Sequence, residues 1–404
     1  MKGISERNST RPLYVALGLK VIDQERGVLG MVIPTAGLLA PSGRAERQIL
    51  ARDLHVRWVV TCHEPGNTHL SQATGINESL VIGTKDRQRQ KEGCTFVSLD
   101  RWPQDEQQVI ELCAAIAAGE DVPDGRSVTV RQAQMEGGDW SACGWRNPLL
   151  ADEVSRVVAG SPYLVPMRDV AGVDMMAAGG GFQSRFENVL RGEGDAGVLK
   201  SKGMDGQTSI KGRLDADIRL RASPGESESE RAHRALGALE RLATRRGHLL
   251  ITAGQQSDGA RVCAVATDEP QIGTAWMPVS GIDLQTARAW SVWINSTMGR
   301  ICLMIHRGKK LAFPVYRPAG VKGIPVPMPE HVEAIQTLAA VWVETQGEFV
   351  ASYRDGRVSV RERWDDAVAL ALDFDRELIS RWADMLFSEP YISVDSFENS
   401  LEAD

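Results

Sequence analysis

The sequence lacks several features that mark special classes of protein. No apolar run approaches the roughly 18 residues that a membrane-spanning helix needs, and the amino terminus has no apolar signal core. The six cysteines form no Cys-x-x-Cys pair, which argues for reduced thiols and against a zinc ribbon. No nucleophile elbow and no His-Glu-x-x-His motif is present. We therefore expect a cytoplasmic protein with no metal site and no membrane contact.

The composition is that of an ordinary globular protein. Of the 404 residues, 43% are hydrophobic and 25% are charged. At about 150 residues per domain, this length predicts two or three domains. The net charge of −7 argues against a general nucleic-acid coat protein, although a basic surface can still be local.

The pattern of apolar runs and turn residues predicts an α/β protein in three parts. Residues 1–125 read as a partial doubly wound α/β domain, with strands over 27–34, 56–61 and 79–82. Residues 126–329 read as an α+β domain, and residues 330–404 as a carboxy-terminal helical segment.

Individual elements follow from spacing and capping residues. Helices are predicted over 105–118 and 150–158, and another begins at Ser227, where Ser227 and Glu230 form a possible capping box. Helical spacing continues over 290–297, the segment 186–191 looks helical, and 301–305 and 311–315 look like a pair of strands.

The stretch 13–85 resembles the later part of the catalytic domain of N6-adenine DNA methyltransferases of the type I and type IIG restriction kind. The residues that carry the resemblance are the strand end Gly30-Met-Val-Ile-Pro34 and the run Thr74-Gly-Ile-Asn-Glu-Ser-Leu80. In that family a Gly-rich cofactor loop and an Asn/Asp-Pro-Pro-Tyr/Phe catalytic loop come earlier in the chain. Here only twelve residues precede Leu13, and the single Asn-Pro, at Asn147-Pro148, is followed by leucine.

The missing loops decide what the resemblance implies about catalysis. In the family, the Asn or Asp hydrogen-bonds the target amino group while the aromatic residue stacks on the flipped base. The chain alone is therefore expected to bind no cofactor and to catalyse no methyl transfer. S-adenosylmethionine would be bound in an assembled complex with a partner methyltransferase subunit that carries the missing motifs.

A basic segment without acidic residues lies between Leu284 and Pro329. Its 46 residues include no Asp or Glu, in a chain that has an acidic excess. Such segregation favours an anionic partner, and the phosphates of duplex DNA are the natural choice. A solvated basic strand pair with aromatic residues in the core is the alternative. The predicted DNA-binding residues are Arg288, Arg300, Arg307, Lys309, Lys310, Arg317 and Lys322.

Two later stretches strengthen the resemblance. Trp293-Ile-Asn-Ser296, Gly299-Arg300 and Ile324-Pro-Val-Pro327 resemble the end of a target-recognition domain in type I specificity subunits and type IIG enzymes. The stretch 361–390 resembles the carboxy-terminal helices of such methyltransferases. By contrast, Gly192-Glu-Gly-Asp-Ala-Gly197 fits a nucleotide-loop pattern only formally, because Glu193 and Asp195 would repel a phosphate.

Two hypotheses follow from the sequence. In the first, the chain is the DNA-binding, target-recognition part of a split N6-adenine DNA methyltransferase of a restriction-modification or phage-defence system. Because an incomplete sheet leaves an exposed edge, a partner chain or a homo-oligomer is expected. In the second, the chain is a non-catalytic DNA-binding or interaction protein derived from a methyltransferase.

Overall fold

The computed structural model describes most of the chain as a mixed α/β protein, which confirms the predicted fold class. None of the described helices is long and apolar enough to cross a membrane. The described residues are 11–23, 27–39, 43–64, 78–85, 93–130, 135–137, 140–174, 180–200, 207–254, 261–310, 313–351, 359–387 and 389.

The amino-terminal part contains a five-stranded mixed sheet with the order β1-β3-β2-β4-β5. Strand β3 is antiparallel to both β1 and β2, so those two strands run in the same direction. Strand β4 is parallel to β2, and β5 is antiparallel to β4. The strands are β1 (Val28–Pro34), β2 (His55–Cys62), β3 (Glu78–Thr84), β4 (Cys94–Leu99) and β5 (Gly125–Val130).

Helices cover this sheet on both faces, although only the β2–β4 pair is parallel. Helices α1 (Arg11–Val21), α2 (Thr35–Leu39) and α3 (Arg44–Asp53) lie on one face, where Leu50 packs with Phe96 and neighbouring apolar residues. Helix α4 (Glu106–Ala118) lies on the other face, where Leu112 packs against a small core that includes Val60 and Val97.

A second sheet of seven strands follows, in the order β7-β13-β11-β12-β9-β10-β8. All of its strand pairs are antiparallel except β12 with β9. The segment 186–191 was predicted to look helical, but 186–189 form the strand β8, whose Phe186 is buried beside β10. The strands are β7 (Gly172–Val173), β8 (Phe186–Val189), β9 (Ala196–Leu199), β10 (Ala216–Leu220), β11 (Gly247–Thr252), β12 (Ala264–Gly273) and β13 (Trp276–Ser280).

Four predicted helices are present, although the one predicted over 290–297 begins six residues earlier and ends at Asn295. The capping box at Ser227 is present, because its hydroxyl accepts from the Glu230 amide while the Glu230 carboxylate accepts from the Ser227 amide. These helices are α4, already described, α5 (Pro148–Ala159), α7 (Glu228–Ala243) and α8 (Leu284–Asn295); the short helix α6 (Gly180–Gln183) lies between α5 and α7.

The predicted strand over 301–305 is wrong, because these residues belong to the helix α9 (Thr297–Ile305). The side chains from Thr297 to Met304 are all buried, so this run of sequence shows no polar face from which a helix could be recognised. Short elements follow α9 and lead to the next long helix. They are β14 (Gly308–Lys310), β15 (Phe313–Val315), α10 (Pro318–Val321) and β16 (Pro325–Pro327), which pairs with β6 (Leu164–Pro166).

The carboxy-terminal helices share one core with the second sheet. Trp342, Trp364 and Trp382 are buried with Trp290 of α8 in a single apolar cluster. The segment 330–404 therefore has no separate core within the described residues, and its predicted boundary at 329 runs through this cluster. The helices are α11 (Val332–Thr345), α12 (Ser359–Leu372) and α13 (Arg376–Phe387).

A buried carboxylate on α12 holds the start of α9. Asp365 accepts hydrogen bonds from the backbone amide and the hydroxyl of Thr297, both at 2.7 Å. Burial raises the pKa of Asp365 to about 6, although the hydrogen bonds from Thr297 oppose the shift. The folded protein thus holds this proton more tightly than the unfolded chain does.

This shift predicts a pH-dependent contribution to stability. A raised folded-state pKa means that the wild type loses stability as pH rises from about 4 to about 6, and the loss is complete above that window. The variant Asp365→Asn cannot titrate there, and its amide can still pair with Thr297. Chemical unfolding of both proteins between pH 4 and pH 7 should therefore show the wild type losing stability relative to the variant. A constant difference would contradict the assignment.

Close packing at Gly299 makes a second prediction. A Cβ at this position would collide with the backbone carbonyl of Trp293. Gly299→Ala should therefore lower the free energy of unfolding by about 2 kcal/mol or more. Gly237 in α7 is the matched control, because no atom lies within 4 Å of the added methyl. Gly237→Ala should raise the same quantity by about 0.5–1 kcal/mol in urea unfolding. Equal effects would refute the packing argument.

Candidate nucleic-acid interface

Two tryptophans at the heart of the basic segment face the protein interior. The indole N–H of Trp290 donates to the carbonyl of Pro327 at 2.8 Å, and that of Trp293 donates to the carbonyl of Pro325 at 2.8 Å. Both side chains are fully buried. They therefore bind the exit strand β16 to helix α8, and neither ring is available to stack on a base.

Asn295 and Ser296 of the same motif also have structural roles. The Asn295 amide oxygen accepts from the Cys263 amide at 2.6 Å, and its nitrogen donates to the Ala264 carbonyl at 2.6 Å. Ser296 caps α9 by accepting from the Gly299 amide. The motif that resembles a target-recognition domain thus joins two helices to strand β12.

Arg288 and Arg300 are engaged within the protein. The Arg288 guanidinium pairs with Asp268 at 2.9 Å and lies over the ring of Trp342, 4.6 Å from its centroid. Hydrogen bonds from Lys211 and Arg288 lower the pKa of Asp268. Arg300 is 0% exposed, and it donates to the Arg261 carbonyl at 3.2 Å. Arg300 therefore cannot reach a phosphate in this structure.

Arg307 joins the two sheet-containing parts of the chain. It is 5% exposed, it donates to the Gly144 carbonyl, and its guanidinium lies 4.5 Å from the ring centroid of Trp145. The buried Glu389 carboxylate accepts from the amides of Arg146 at 3.1 Å and Asn147 at 2.7 Å. Burial raises the pKa of Glu389, and the charge of Arg307 opposes that shift.

Arg300 and Arg307 thus have to be removed from the predicted set of phosphate contacts. Their charges are buried among backbone carbonyls and aromatic rings, a setting that the one-dimensional charge pattern does not reveal. Lys309 and Lys310 lie on β14, but their side chains fall outside the described part of the chain. Arg317 is exposed and Lys322 is half-buried, so these two remain accessible.

Arg317 and Lys322 flank α10, and a third cation lies beside them. The backbone amide of Arg168 donates to the Lys322 carbonyl at 2.9 Å, which brings the exposed Arg168 to the same turn, although its guanidinium lies 3.7 Å from the Asp169 carboxylate. Within the described residues, neither Arg317 nor Lys322 has an ion-pair partner. Nothing in the sequence indicates that Arg168 lies here, because the contact depends on the pairing of β6 with β16.

A second basic group was missed by the sequence analysis. Arg241, Arg245 and Arg246 are exposed at the end of α7, and none of them forms an ion pair with a described residue. A signal was available, because the sequence contains no Asp or Glu from Arg241 to Ser257.

The Gly-x-Gly-x-x-Gly segment does not fit a cofactor. The amides of Gly192 and Gly194 donate to the Asp217 carboxylate at 2.7 and 3.2 Å, and Arg191 pairs with the same group. The segment leads into strand β9, whereas a phosphate-binding loop leads into a helix. Two of the amides that could bind a phosphate therefore already bind the Asp217 carboxylate. The acidic side chains of the segment would also repel a phosphate.

One edge of the amino-terminal sheet is open. Strand β1 has β3 on one side and no described strand on the other. Val28 and Val32 on β1 are 65% and 49% exposed. Val28 lies opposite Thr84, and Val32 lies opposite Leu80, so the apolar surface continues at Val32 onto β3 on the face that carries α4. An edge of this kind is suited to pairing with another strand.

Comparison with known proteins gives distant structural matches. The type IIG restriction endonuclease BpuSI matches with a TM-score of 0.38 and 9% identity, over 95% of this chain and 50% of its own chain. A type I restriction-modification methyltransferase subunit from Streptococcus thermophilus matches with a TM-score of 0.27 and 16% identity, over 33% of this chain and 29% of its own. The match thus spans about half the length of the first protein and less than a third of the second. No family model and no curated protein matches the sequence.

The position of Arg307 predicts a structural phenotype. Arg307→Met keeps an unbranched apolar stem but removes the guanidinium that binds the Gly144 carbonyl and lies near the Glu389 charge. We expect the free energy of unfolding to fall by about 3 kcal/mol, because a buried charge loses its partner. Arg317→Ala removes an exposed guanidinium and should change the free energy of unfolding by less than about 0.5 kcal/mol. Urea unfolding at constant pH measures both, and an Arg307→Met protein as stable as wild type would overturn the junction role.

Proposed function

We propose that this chain is the target-recognition and scaffold part of an N6-adenine DNA methyltransferase of a restriction-modification or phage-defence system. Groups outside these 404 residues would supply the cofactor loop and the catalytic loop. The observation that carries the proposal is the order of three resembling stretches along one chain, at 13–85, 293–327 and 361–390. Part of the first, Thr74 to Asn77, lies outside the described residues, as do Ser388 and Pro390 of the third.

The open edge of the amino-terminal sheet supports completion by further strands. Exposed valines on β1 would be buried if another strand and its covering helix were added there. The sequence itself contains no Asn-Pro-Pro or Asp-Pro-Pro. In this proposal the partner subunit brings that catalytic loop, which would hold the flipped adenine.

S-adenosylmethionine would supply the methyl group in the assembled complex. The Gly192–Gly197 segment, which has the spacing of a nucleotide loop, does not fit this cofactor, because the amides of Gly192 and Gly194 are bound to Asp217. The contribution that we assign to this chain is contact with DNA. Positive charge at the α10 turn, on Arg168, Arg317 and Lys322, would bind phosphates, and we retain Lys309 and Lys310 from the sequence analysis.

Duplex DNA binding across a salt series tests this contact surface. Each phosphate contact contributes a slope of about −0.9 to the dependence of log affinity on log salt, so Arg317→Ala with Lys322→Ala should flatten the slope by about 2. Lys20→Ala with Arg44→Ala is the matched control, since it also removes two exposed cations. We expect the control to keep the wild-type slope. If both double variants behave alike, the α10 turn does not hold DNA.

Methyl transfer separates the proposal from its alternative, a non-catalytic DNA-binding or interaction protein. Under the proposal, mixing the chain with a separate subunit that carries the Asn/Asp-Pro-Pro-Tyr/Phe loop produces N6-methyladenine in duplex DNA. If the chain binds DNA but no separate subunit that carries this loop produces methylation with it, the alternative is favoured.

A further inference from the structure

Helix α4 presents apolar side chains on the side that faces away from its own sheet. Val109 and Ile110 are 45% and 55% exposed. Cys113, Ala114 and Ala117 are exposed as well, whereas Leu112, Ala115 and Ile116 turn toward the sheet. A helix that is apolar on both sides is usually buried on both sides.

The exposed residues form one stripe. Positions 110, 113, 114 and 117 follow helical spacing, so their side chains lie one above another on the outer face. Defined ends fix the helix: the Asp105 carboxylate accepts from the Gln108 amide at 2.8 Å, and Gly119 closes it in a left-handed conformation at φ 71°. The stripe is therefore a preformed surface and needs no rearrangement to bind a partner.

Acidic side chains outnumber basic ones around the stripe. Between Trp102 and Gly125 the sequence contains no Lys or Arg. Glu111 accepts from the Gln107 side chain at 2.8 Å and has no ion pair with a described residue, and Asp124 is paired with Arg101 at 2.7 Å. The acidic residues of this stretch are Asp105, Glu106, Glu111, Glu120, Asp121 and Asp124.

We propose that the outer face of α4 docks an apolar helix of another protein, flanked by Lys or Arg. A second copy of this chain would set acidic rim against acidic rim, which repels, whereas a basic rim attracts. Small side chains at 114 and 117 allow a partner helix to approach to about 8 Å between axes. The proposal is independent of DNA binding, because it concerns a helix of the amino-terminal sheet and no residue of the α10 turn.

A pair of synthetic helices tests the proposal on the full chain. Each peptide has about 20 residues, enough to form a helix, with a Leu/Ala face. One has Lys and Arg at the flanking positions and the other has Glu. Binding is measured by fluorescence anisotropy, and alkylation of the exposed Cys113 thiol reports whether the stripe is covered. The variants are Ala114→Glu, which interrupts the stripe, and Glu111→Lys, which changes only the rim.

We expect the basic peptide to bind, to slow alkylation of Cys113, and to bind about tenfold more weakly to Ala114→Glu. Glu111→Lys should weaken the preference for the basic peptide while circular dichroism stays that of the wild type. Three results would each overturn the proposal. They are no binding of either peptide, equal binding of both peptides, and a dimer in sedimentation velocity that Ala114→Glu dissociates, which would make a second copy the occupant.

Discussion

The larger part of this protein depends on the buried amide of Asn295. Its oxygen accepts from the Cys263 and Ala264 amides. Its nitrogen donates to the Ala264 and Ser291 carbonyls. A polar group that is fully buried stabilises a fold only when its partners are complete, and here they are. The amide fixes the end of α8 against strand β12. The helices that pack on α8 are therefore positioned by the contact between α8 and strand β12.

Trp290 and Trp293 hold the next strand against helix α8. Indole N–H groups on α8 bind the carbonyls of Pro325 and Pro327, so a proline-rich strand that offers few amide donors is held by side chains. Strand β16 in turn pairs with β6, which places Arg168 beside Lys322. The accessible basic turn is thus a consequence of packing that begins at α8.

Local signals predicted part of the fold, and burial explains what they missed. Helix α4 and the capping box at Ser227 were predictable because a half-exposed helix shows both a periodic apolar face and its caps. Helix α9 was missed because it is buried all round, so its sequence has the apolar run of a strand. The order of the strands, with β3 between β1 and β2, depends on contacts that no local pattern encodes.

The candidate interface likewise combines features that the sequence predicts with features that only burial explains. The absence of acidic residues from 284–329 correctly marks an unusual segment, but charge segregation does not say where each cation points. Arg300 donates to the carbonyl of Arg261 and Arg307 to that of Gly144, residues that are distant in sequence. Both guanidinium groups bind backbone carbonyls, which leave no trace in a charge pattern, and the Glu389 carboxylate that interacts with Arg307 lies far outside the basic segment. Among the predicted residues whose side chains are described, Arg317 and Lys322, which flank α10, are accessible and form no ion pair with a described residue.

Hydrogen exchange of the backbone amides, with and without duplex DNA, tests most directly whether the motif-bearing helices belong to the core or to a DNA-contacting surface. The structure predicts that the amides of α8 and α9 exchange among the slowest in the chain, with rates that DNA does not alter. DNA should slow exchange around 317–322. Rapid exchange in α8 and α9 that becomes slow only when DNA binds would contradict this account.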